Sequence, residues 1–226
     1  MKPITNSTEI VALLRERILA GEIPPGAQLQ QIPLSEELGV SRTPVREALS
    51  ALAKDNLLTY EPNRGYKVRS FSMEDVMAAF DVRGQLEALA CRLCATRGLP
   101  PETLAELWGC VERGRKLLEG GGLIPSRLPA YRQENVVFHD LIIKKSQNSW
   151  LASFVRQTHN VPLASDRIIL WDDYDIIKRS HDDHCRIAQA ISDRNAERAS
   201  YLMREHIYFA GEVLRANFEK WAPWLD

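Results

Sequence analysis

The feature that most constrains this chain is the stretch Gly39–Leu49, which predicts a tight turn followed by the start of a helix. Gly39 can adopt the positive φ that ends one helix. Ser41 can cap the next helix by accepting a hydrogen bond from a backbone N–H one turn later. Pro44 is tolerated because first-turn amides have no partner inside the helix. Apolar residues then recur at helical spacing and predict a helix over about residues 42–54: Val45, Ala48, Leu49 and Leu52.

The start of this helix carries a group of polar and cationic side chains. The apolar spacing leaves Arg42, Thr43 and Arg46 on the outer face of the first turn, with Ser41 at the cap. Two guanidinium groups, two hydroxyls and the positive helix end suit phosphate oxygens and base edges in a DNA major groove. Taken alone, the group also fits a solvated helix start with two surface arginines.

The elements on either side of this helix predict a winged helix-turn-helix. An apolar stripe between Ile10 and Leu19 predicts a first helix, and Leu34–Leu38 predicts a short second one. Strand-like runs at Leu57–Tyr60 and Tyr66–Val68 flank a hairpin tip at Pro62–Gly65. In that fold the third helix enters the major groove and the hairpin reaches the flanking backbone or minor groove.

The rest of the chain shows helical periodicity after a capping box at Ser72–Asp75, with no convincing strand. The predicted helical segments are 73–97, 101–119, 127–146, 149–170, 173–192 and 194–221, and Pro162 is expected to kink or split the fourth. Six or seven helices predict an antiparallel bundle, a common setting for a ligand cavity. The predicted fold is therefore mainly α. The predicted domains are a winged domain at 1–70, a junction at 71–77, and an all-α ligand-binding and dimerisation domain at 78–226.

Composition limits the function further. The formal net charge is -1, so local clusters rather than overall charge must account for any binding of DNA. The chain has no apolar run of transmembrane length and no signal-peptide pattern, which predicts a cytoplasmic protein with no membrane partner. Cys91 and Cys94 lie inside a helical pattern, so we expect buried packing residues rather than redox or metal chemistry.

Three histidines on separate predicted helices form a second group of interest: His139, His184 and His206. His184 and His206 lie on adjacent helices joined by a short turn, which can bring them level, and Asn135 shares a helical face with His139. Imidazoles that converge inside a bundle would bind zinc, nickel or a similar ion. Spacing by itself favours three ordinary packed or surface histidines.

Residues 10–69 resemble the DNA-binding domain of the GntR family of bacterial regulators, through the phrases Ile18–Gly26, Val40–Leu49 and Asn63–Val68. The resemblance implies operator contacts from the third helix and a wing whose glycine lets the backbone approach DNA. The predicted DNA-binding residues are Ser41, Arg42, Thr43, Arg46, Arg64 and Gly65. The predicted second helix lacks the early arginine of the fatty-acid-responsive members, so base specificity should depend on the third helix and the wing.

Most of residues 74–212 resembles the FCD effector domain of the FadR-like branch, through segments around Arg83, His139, His184 and His206. The resemblance implies a divalent metal bound by the three histidines and Asn135, at positions where many members have Asp or Asn and three His. A neutral amide leaves the metal charge unneutralised, so the centre would attract a small carboxylate, with Arg83 as an effector-binding residue. Alternatively, Arg83 only pairs with Glu87, four residues later.

Together these features predict a homodimeric transcription regulator, a repressor, that binds a palindromic DNA operator. A small organic acid at a metal site, with zinc or nickel as the metal, would control its operator affinity. No catalytic residues are predicted. One alternative is a metal-dependent hydrolase or lyase with an appended DNA-binding domain, because a three-histidine metal can activate water. Another is a constitutive DNA-binding dimer without an effector, against which the low overall charge argues.

Overall fold

The computed structural model describes residues 6–19, 21–122, 124–161, 163–164 and 173–217. The chain divides into two compact units. The first contains the residues up to Val76 and the short segment Asn160–Leu163, and the second contains Met77–His159 and Ala164–Ala216. None of the described helices is both long and apolar enough to cross a membrane.

The first unit is a winged helix-turn-helix, as predicted. Its elements are α1 (Ser7–Leu19), β1 (Gln28–Leu29), α2 (Gln31–Leu38), α3 (Arg42–Lys54), β2 (Leu58–Glu61) and β3 (Gly65–Val68). Helix α3 has the predicted bounds, and Gly39 ends α2 in the left-handed region at φ 67°. Helix α2 begins earlier than predicted because Pro33 is accommodated in its first turn.

A single apolar core joins the helices of this unit to its small sheet. Ile10, Leu14 and Leu49 have no exposed surface, and they pack in one cluster with Leu58 and Val68 from the sheet. The sheet is antiparallel in the order β1-β3-β2. Its first strand was not predicted, since only two residues pair with β3. The core holds the outer face of α3 and the hairpin tip on the surface.

The second unit is all-helical within the described residues, as predicted. Its elements are α4 (Met73–Arg97), α5 (Pro101–Leu117), a 3-10 turn (Pro125–Arg127), α6 (Leu128–Lys145), α7 (Ser149–Thr158), α8 (Tyr174–Ser192) and α9 (Ala196–Ala216). Helix α7 ends twelve residues before its predicted end, and the predicted kink at Pro162 lies outside the described residues. The predicted residues 218–221 of α9 also lie outside them.

Helix α4 starts in the first unit and continues into the second, since the division between the units falls after Val76. The predicted capping box is present at its start. The backbone N–H of Ser72 donates to Asp75 Oδ2 over 3.0 Å, and the N–H of Asp75 donates to Ser72 Oγ over 3.1 Å. The predicted domain bounds themselves stay a prediction.

Two glycines let α4 and α9 approach closely enough to share a site. A Cβ atom at Gly211 would lie 3.2 Å from Phe80 Cγ and 3.3 Å from Met77 Cε. A Cβ atom at Gly84 would meet Ile207 Cγ2 at 3.6 Å. This packing brings the middle of α4 against the part of α9 that contains His206. Cys91 and Cys94, on the same α4, are fully buried, which agrees with their predicted packing role.

Candidate DNA interface and metal centre

The first turn of α3 presents its predicted DNA-binding residues to solvent. Ser41, Arg42, Thr43 and Arg46 are all exposed. Ser41 occupies the N-cap position with extended backbone, but its side chain makes no capping hydrogen bond, contrary to the sequence prediction. Its hydroxyl is therefore not used by the helix and stays available to an external partner.

An open groove runs between the outer face of α3 and the wing. It is lined by Arg46, Glu47, Ser50, Ala51, Lys54 and Tyr66. No salt bridge to another described residue holds the guanidinium of Arg42 or of Arg46. Cations that have no internal partner at a helix tip can bind phosphate oxygens without first breaking an ion pair.

The wing has a tight tip at Asn63 and Gly65, both of which adopt positive φ angles. Arg64 lies between them and is exposed. A Cβ atom at Gly65 would lie 3.0 Å from the carbonyl oxygen of Leu29, and the φ of Gly65 is +92°. Glycine is therefore required at this position by the sheet itself, independently of any approach to DNA.

The three predicted metal-ligand histidines come together in the second unit. One nitrogen each from His139 on α6, His184 on α8 and His206 on α9 lies within 4.8 Å of the other two, and all three residues are buried. The Nε2 atoms of His184 and His206 are 3.3 Å apart. His139 Nε2 is buried and has no hydrogen-bond partner among the described residues. A divalent ion fits this donor set, since it would satisfy nitrogens that otherwise face one another. We call these three residues the histidine cluster.

A buried carboxylate from α4 orients the first of these imidazoles. Glu87 is fully buried, and its Oε2 lies 2.5 Å from His139 Nδ1. A carboxylate oxygen can only accept, so His139 Nδ1 carries the proton and Nε2 keeps a lone pair for a metal. Burial alone would raise the pKa of Glu87, but Arg83 and His139 outweigh it and hold that pKa well below its usual range.

Arg83, the predicted effector-binding residue, is paired inside the protein. Its Nε donates to Glu87 Oε1 over 2.6 Å, and one terminal nitrogen donates to the carbonyl oxygen of Ala164 over 2.9 Å. The side chain is nearly inaccessible to solvent. This agrees with the alternative that the sequence left open, and contact with an effector stays a prediction for this residue.

A second carboxylate lies behind His206. Asp183 Oδ2 is 3.9 Å from His206 Nδ1, which is too long for a hydrogen bond but close enough for electrostatic attraction. The other oxygen of Asp183 accepts from Arg186 over 2.9 Å. Two of the three imidazoles therefore have a carboxylate on the Nδ1 side, the arrangement that commonly supports histidines bound to a metal through Nε2.

Asn135, the proposed fourth ligand, and two further histidines of the second unit are also buried. Asn135 lies one turn before His139 on α6, which is consistent with a fourth ligand position without testing it. His181 is only 5% exposed, so this histidine also lies inside the second unit. His159, which sequence reasoning overlooked, is buried as well, and its positive charge would lower the pKa of Glu87.

Burial also favours the neutral form of two imidazoles of the cluster, His184 and His206. It lowers the pKa of His184 well below the ordinary value of 6.5, and the neighbouring histidines add to this effect. Burial lowers the pKa of His206 too, although Asp183 opposes the shift. Because only a neutral imidazole can bind a metal, these shifts leave the nitrogens available near neutral pH.

We expect the metal-free protein to lose stability as the pH falls below about 6.5. The folded pKa values of His181, His184 and His206 lie below 6.5, whereas the unfolded chain titrates near that value. The unfolded state therefore binds more protons in this window, and the free energy of unfolding falls as the pH falls, by at most about 1.4 kcal/mol per pH unit for each histidine.

Urea unfolding of chelated protein at pH 7.5 and 5.5 would measure this change. The variant H181N should show a shallower dependence, because one shifted group is gone. Equal free energies of unfolding at the two pH values would contradict the assignment of lowered pKa values.

Comparison with known proteins agrees with both halves of the structure. Residues 78–209, more than half of the chain, match the FCD domain family. Residues 6–68 match the family described as bacterial regulatory proteins, gntR family. The chain belongs to the GntR family. As a GntR regulator with an FCD domain, it is a DNA-binding transcription regulator and not an enzyme, as predicted.

This GntR protein is 28% identical over 185 residues to the Nta operon transcriptional regulator of Aminobacter aminovorans, a match that covers 81% of the chain and 82% of the relative. It is 27% identical over 199 residues to the transcriptional repressor GlaR of Escherichia coli, covering 86% and 89% of the two chains. The solved structure of E. coli McbR/YncC superposes with a TM-score of 0.73 at 22% identity, covering 94% and 98% of the two chains, and shows the same fold.

Proposed function

We propose that this GntR protein is a repressor that binds a palindromic operator as a homodimer in the cytoplasm. The relative GlaR is named a repressor, and two-fold pairing of winged domains would place two α3 helices in successive major grooves. The residues proposed to contact DNA are Ser41, Arg42, Thr43, Arg46, Arg64 and Gly65. Exposure of the α3 tip and the groove beside it supports this assignment.

We further propose that a small carboxylate effector binds at a divalent metal in the FCD domain and changes operator affinity. The histidine cluster is the observation that carries this proposal, since three buried imidazole nitrogens converge within 4.8 Å. His139, His184 and His206 would hold the ion, with Asn135 as the proposed fourth ligand, and zinc or nickel suits such a donor set. The bound ion would supply positive charge to attract a carboxylate.

The chain's own residues suggest how the site would communicate with the DNA-binding domain. Glu87 contacts a proposed metal ligand, His139, and it belongs to the helix that begins only five residues after β3 ends at Val68. Metal or effector binding that fixes His139 would also fix Glu87 and Arg83 on α4. We propose that α4 transmits the effector signal by favouring one of two arrangements of the winged domains.

A metal-dependent thermal shift is the expected result if this proposal is correct. Small mono- and dicarboxylates would be screened against metal-loaded protein and against protein treated with a chelator. At 100 times its dissociation constant, an effector stabilises the folded state by about 2.7 kcal/mol. We expect the melting temperature to rise only in the metal-loaded sample. An equal rise in both samples, or no rise with any acid, would contradict carboxylate binding at a metal.

A further inference from the structure

Six buried side-chain polar atoms have no hydrogen-bond partner among the described residues, and two of them belong neither to the histidine cluster nor to Asp183 or His159. These two are Nε of Arg132 on α6 and Nε2 of His181 on α8. His181 is 95% buried, while Arg132 is half-buried. Most buried polar groups in folded proteins are hydrogen-bonded, so such a pair indicates a place where a polar ligand or ordered water belongs.

Both atoms belong to the helix faces that carry metal-site residues. Arg132, Asn135 and His139 follow one another at spacings of three and four, which places them on one face of α6. On α8, His181 precedes His184 by three residues, and their ring centroids are 6.4 Å apart. Arg132 therefore lies on the same face of α6 as His139, and His181 lies close to His184 on α8.

Arg132 and His181 lie at the same end of the histidine cluster. Tyr131 on α6 is level with His181 on α8, with ring centroids 6.0 Å apart. Seven residues later, Phe138 is level with His184, with ring centroids 4.3 Å apart. The two helices thus run in the same direction here, and residues N-terminal to the cluster on one are beside residues N-terminal to it on the other.

Helix α5 makes room for His181 by placing a glycine opposite its ring. A Cβ atom at Gly114 would lie 2.9 Å from His181 Cε1 and 3.0 Å from its Nδ1. Any side chain at Gly114 would displace the imidazole. Tyr131 closes the adjacent wall, where its hydroxyl donates to the carbonyl oxygen of Ile177 over 3.4 Å.

Arg83 and Arg132 differ in what holds their guanidinium groups. Arg83 is committed to Glu87 and to the carbonyl of Ala164. No hydrogen bond or ion pair to the rest of the described chain occupies Arg132. A guanidinium that has no partner can bind an incoming carboxylate at full strength, whereas a paired one must first be released.

We propose that Arg132 and His181 form an anion subsite beside the histidine cluster, which takes the second carboxylate of a short dicarboxylate effector. This inference rests on the proposed function, in which the first carboxylate is drawn to the bound metal. Arg132 would donate to the second carboxylate, and the His181 Nε2–H would donate to one of its oxygens. With this subsite, the protein would recognise effectors that have two carboxylates in preference to those that have one.

Titration calorimetry on full-length protein loaded with Zn²⁺ and freed of excess metal tests the subsite. The ligands are succinate with butyrate as its one-carboxylate counterpart, and adipate with hexanoate. We expect at least one dicarboxylate to bind about 10- to 100-fold more tightly than its counterpart, the gain expected from charge-assisted hydrogen bonds. In R132Q this preference should disappear, while metal content and affinity for the monocarboxylate stay unchanged.

Two further variants keep the test decisive. R132K should restore part of the preference because it keeps the positive charge, and H181N should reduce it. R92Q is the matched control, since Arg92 is an exposed arginine of the same unit and pairs with Glu197 on the surface. Equal binding of di- and monocarboxylates, or an R132Q protein that retains the preference, would overturn the subsite alone. Failure of every acid to bind would overturn the proposed effector function together with the subsite.

Discussion

The double variant H139A/H184A is expected to purify without stoichiometric divalent metal, whereas the parent protein should retain about one ion per chain. The variant removes two of three convergent imidazoles and leaves His206 with only the neutral amide of Asn135 as a proposed partner. Metal affinity depends on the number of ligands, so one imidazole and one amide cannot hold the ion through purification. Elemental analysis of protein whose affinity tag has been removed measures the difference.

Two single variants distinguish the metal ligands from the residues that orient them or lie beside them. E87Q keeps all three imidazoles but weakens the acceptor at His139 Nδ1, so metal affinity should fall by about 10- to 100-fold rather than vanish. H181A removes a neighbouring buried histidine outside the cluster and should keep one ion per chain. Circular dichroism must show that each variant is folded. A folded H139A/H184A protein that retains one ion per chain would rule out the histidine cluster as the metal site.

The variant R46A is expected to bind operator DNA about 5- to 150-fold more weakly, which corresponds to about 1–3 kcal/mol for one guanidinium that reads a base. Arg46 is exposed on the outer face of α3 and lines the groove beside the wing. If it contacts a phosphate instead, the loss should be similar for all sequences, and the slope of log affinity against log salt should decrease by about 1.

Fluorescence anisotropy with a duplex that the parent protein selects from a random library measures both effects, when repeated over a range of NaCl concentrations. R92A is the control, because this arginine is exposed in the other unit and should leave operator affinity unchanged. An R46A protein with parental affinity and parental salt slope would exclude Arg46 from the DNA interface.

Helix α3 could be predicted from sequence because every signal for it is local. The positive φ of Gly39, the tolerance of Pro44 in the first turn and the apolar spacing act within about two turns of chain. Strand β1 could not be predicted for the opposite reason. Gln28 and Leu29 form a strand only because β3, almost forty residues later, supplies their hydrogen bonds.

The metal site shows the same division. Helical periodicity and the short turn between α8 and α9 indicated only that His184 and His206 could lie level, and it was the family resemblance that predicted a shared metal site. The structure places their Nε2 atoms 3.3 Å apart. The spacing of Arg83 and Glu87 offered their ion pair only as an alternative to effector binding by Arg83, and the structure contains that pair. Nothing local indicates that Glu87 also contacts His139, since 52 residues separate them.

The sequence alone therefore determined the winged fold, the cationic α3 tip and the identity of the three histidines, because helix periods, turn residues and family phrases are short-range information. The tertiary structure alone decided which groups support those histidines, with Glu87 behind one and Asp183 behind another. It also decided which arginine is paired, placing Arg83 in an internal ion pair, whereas no described residue pairs with Arg132. Such contacts join helices far apart in the chain, and their partners are chosen by packing rather than by spacing.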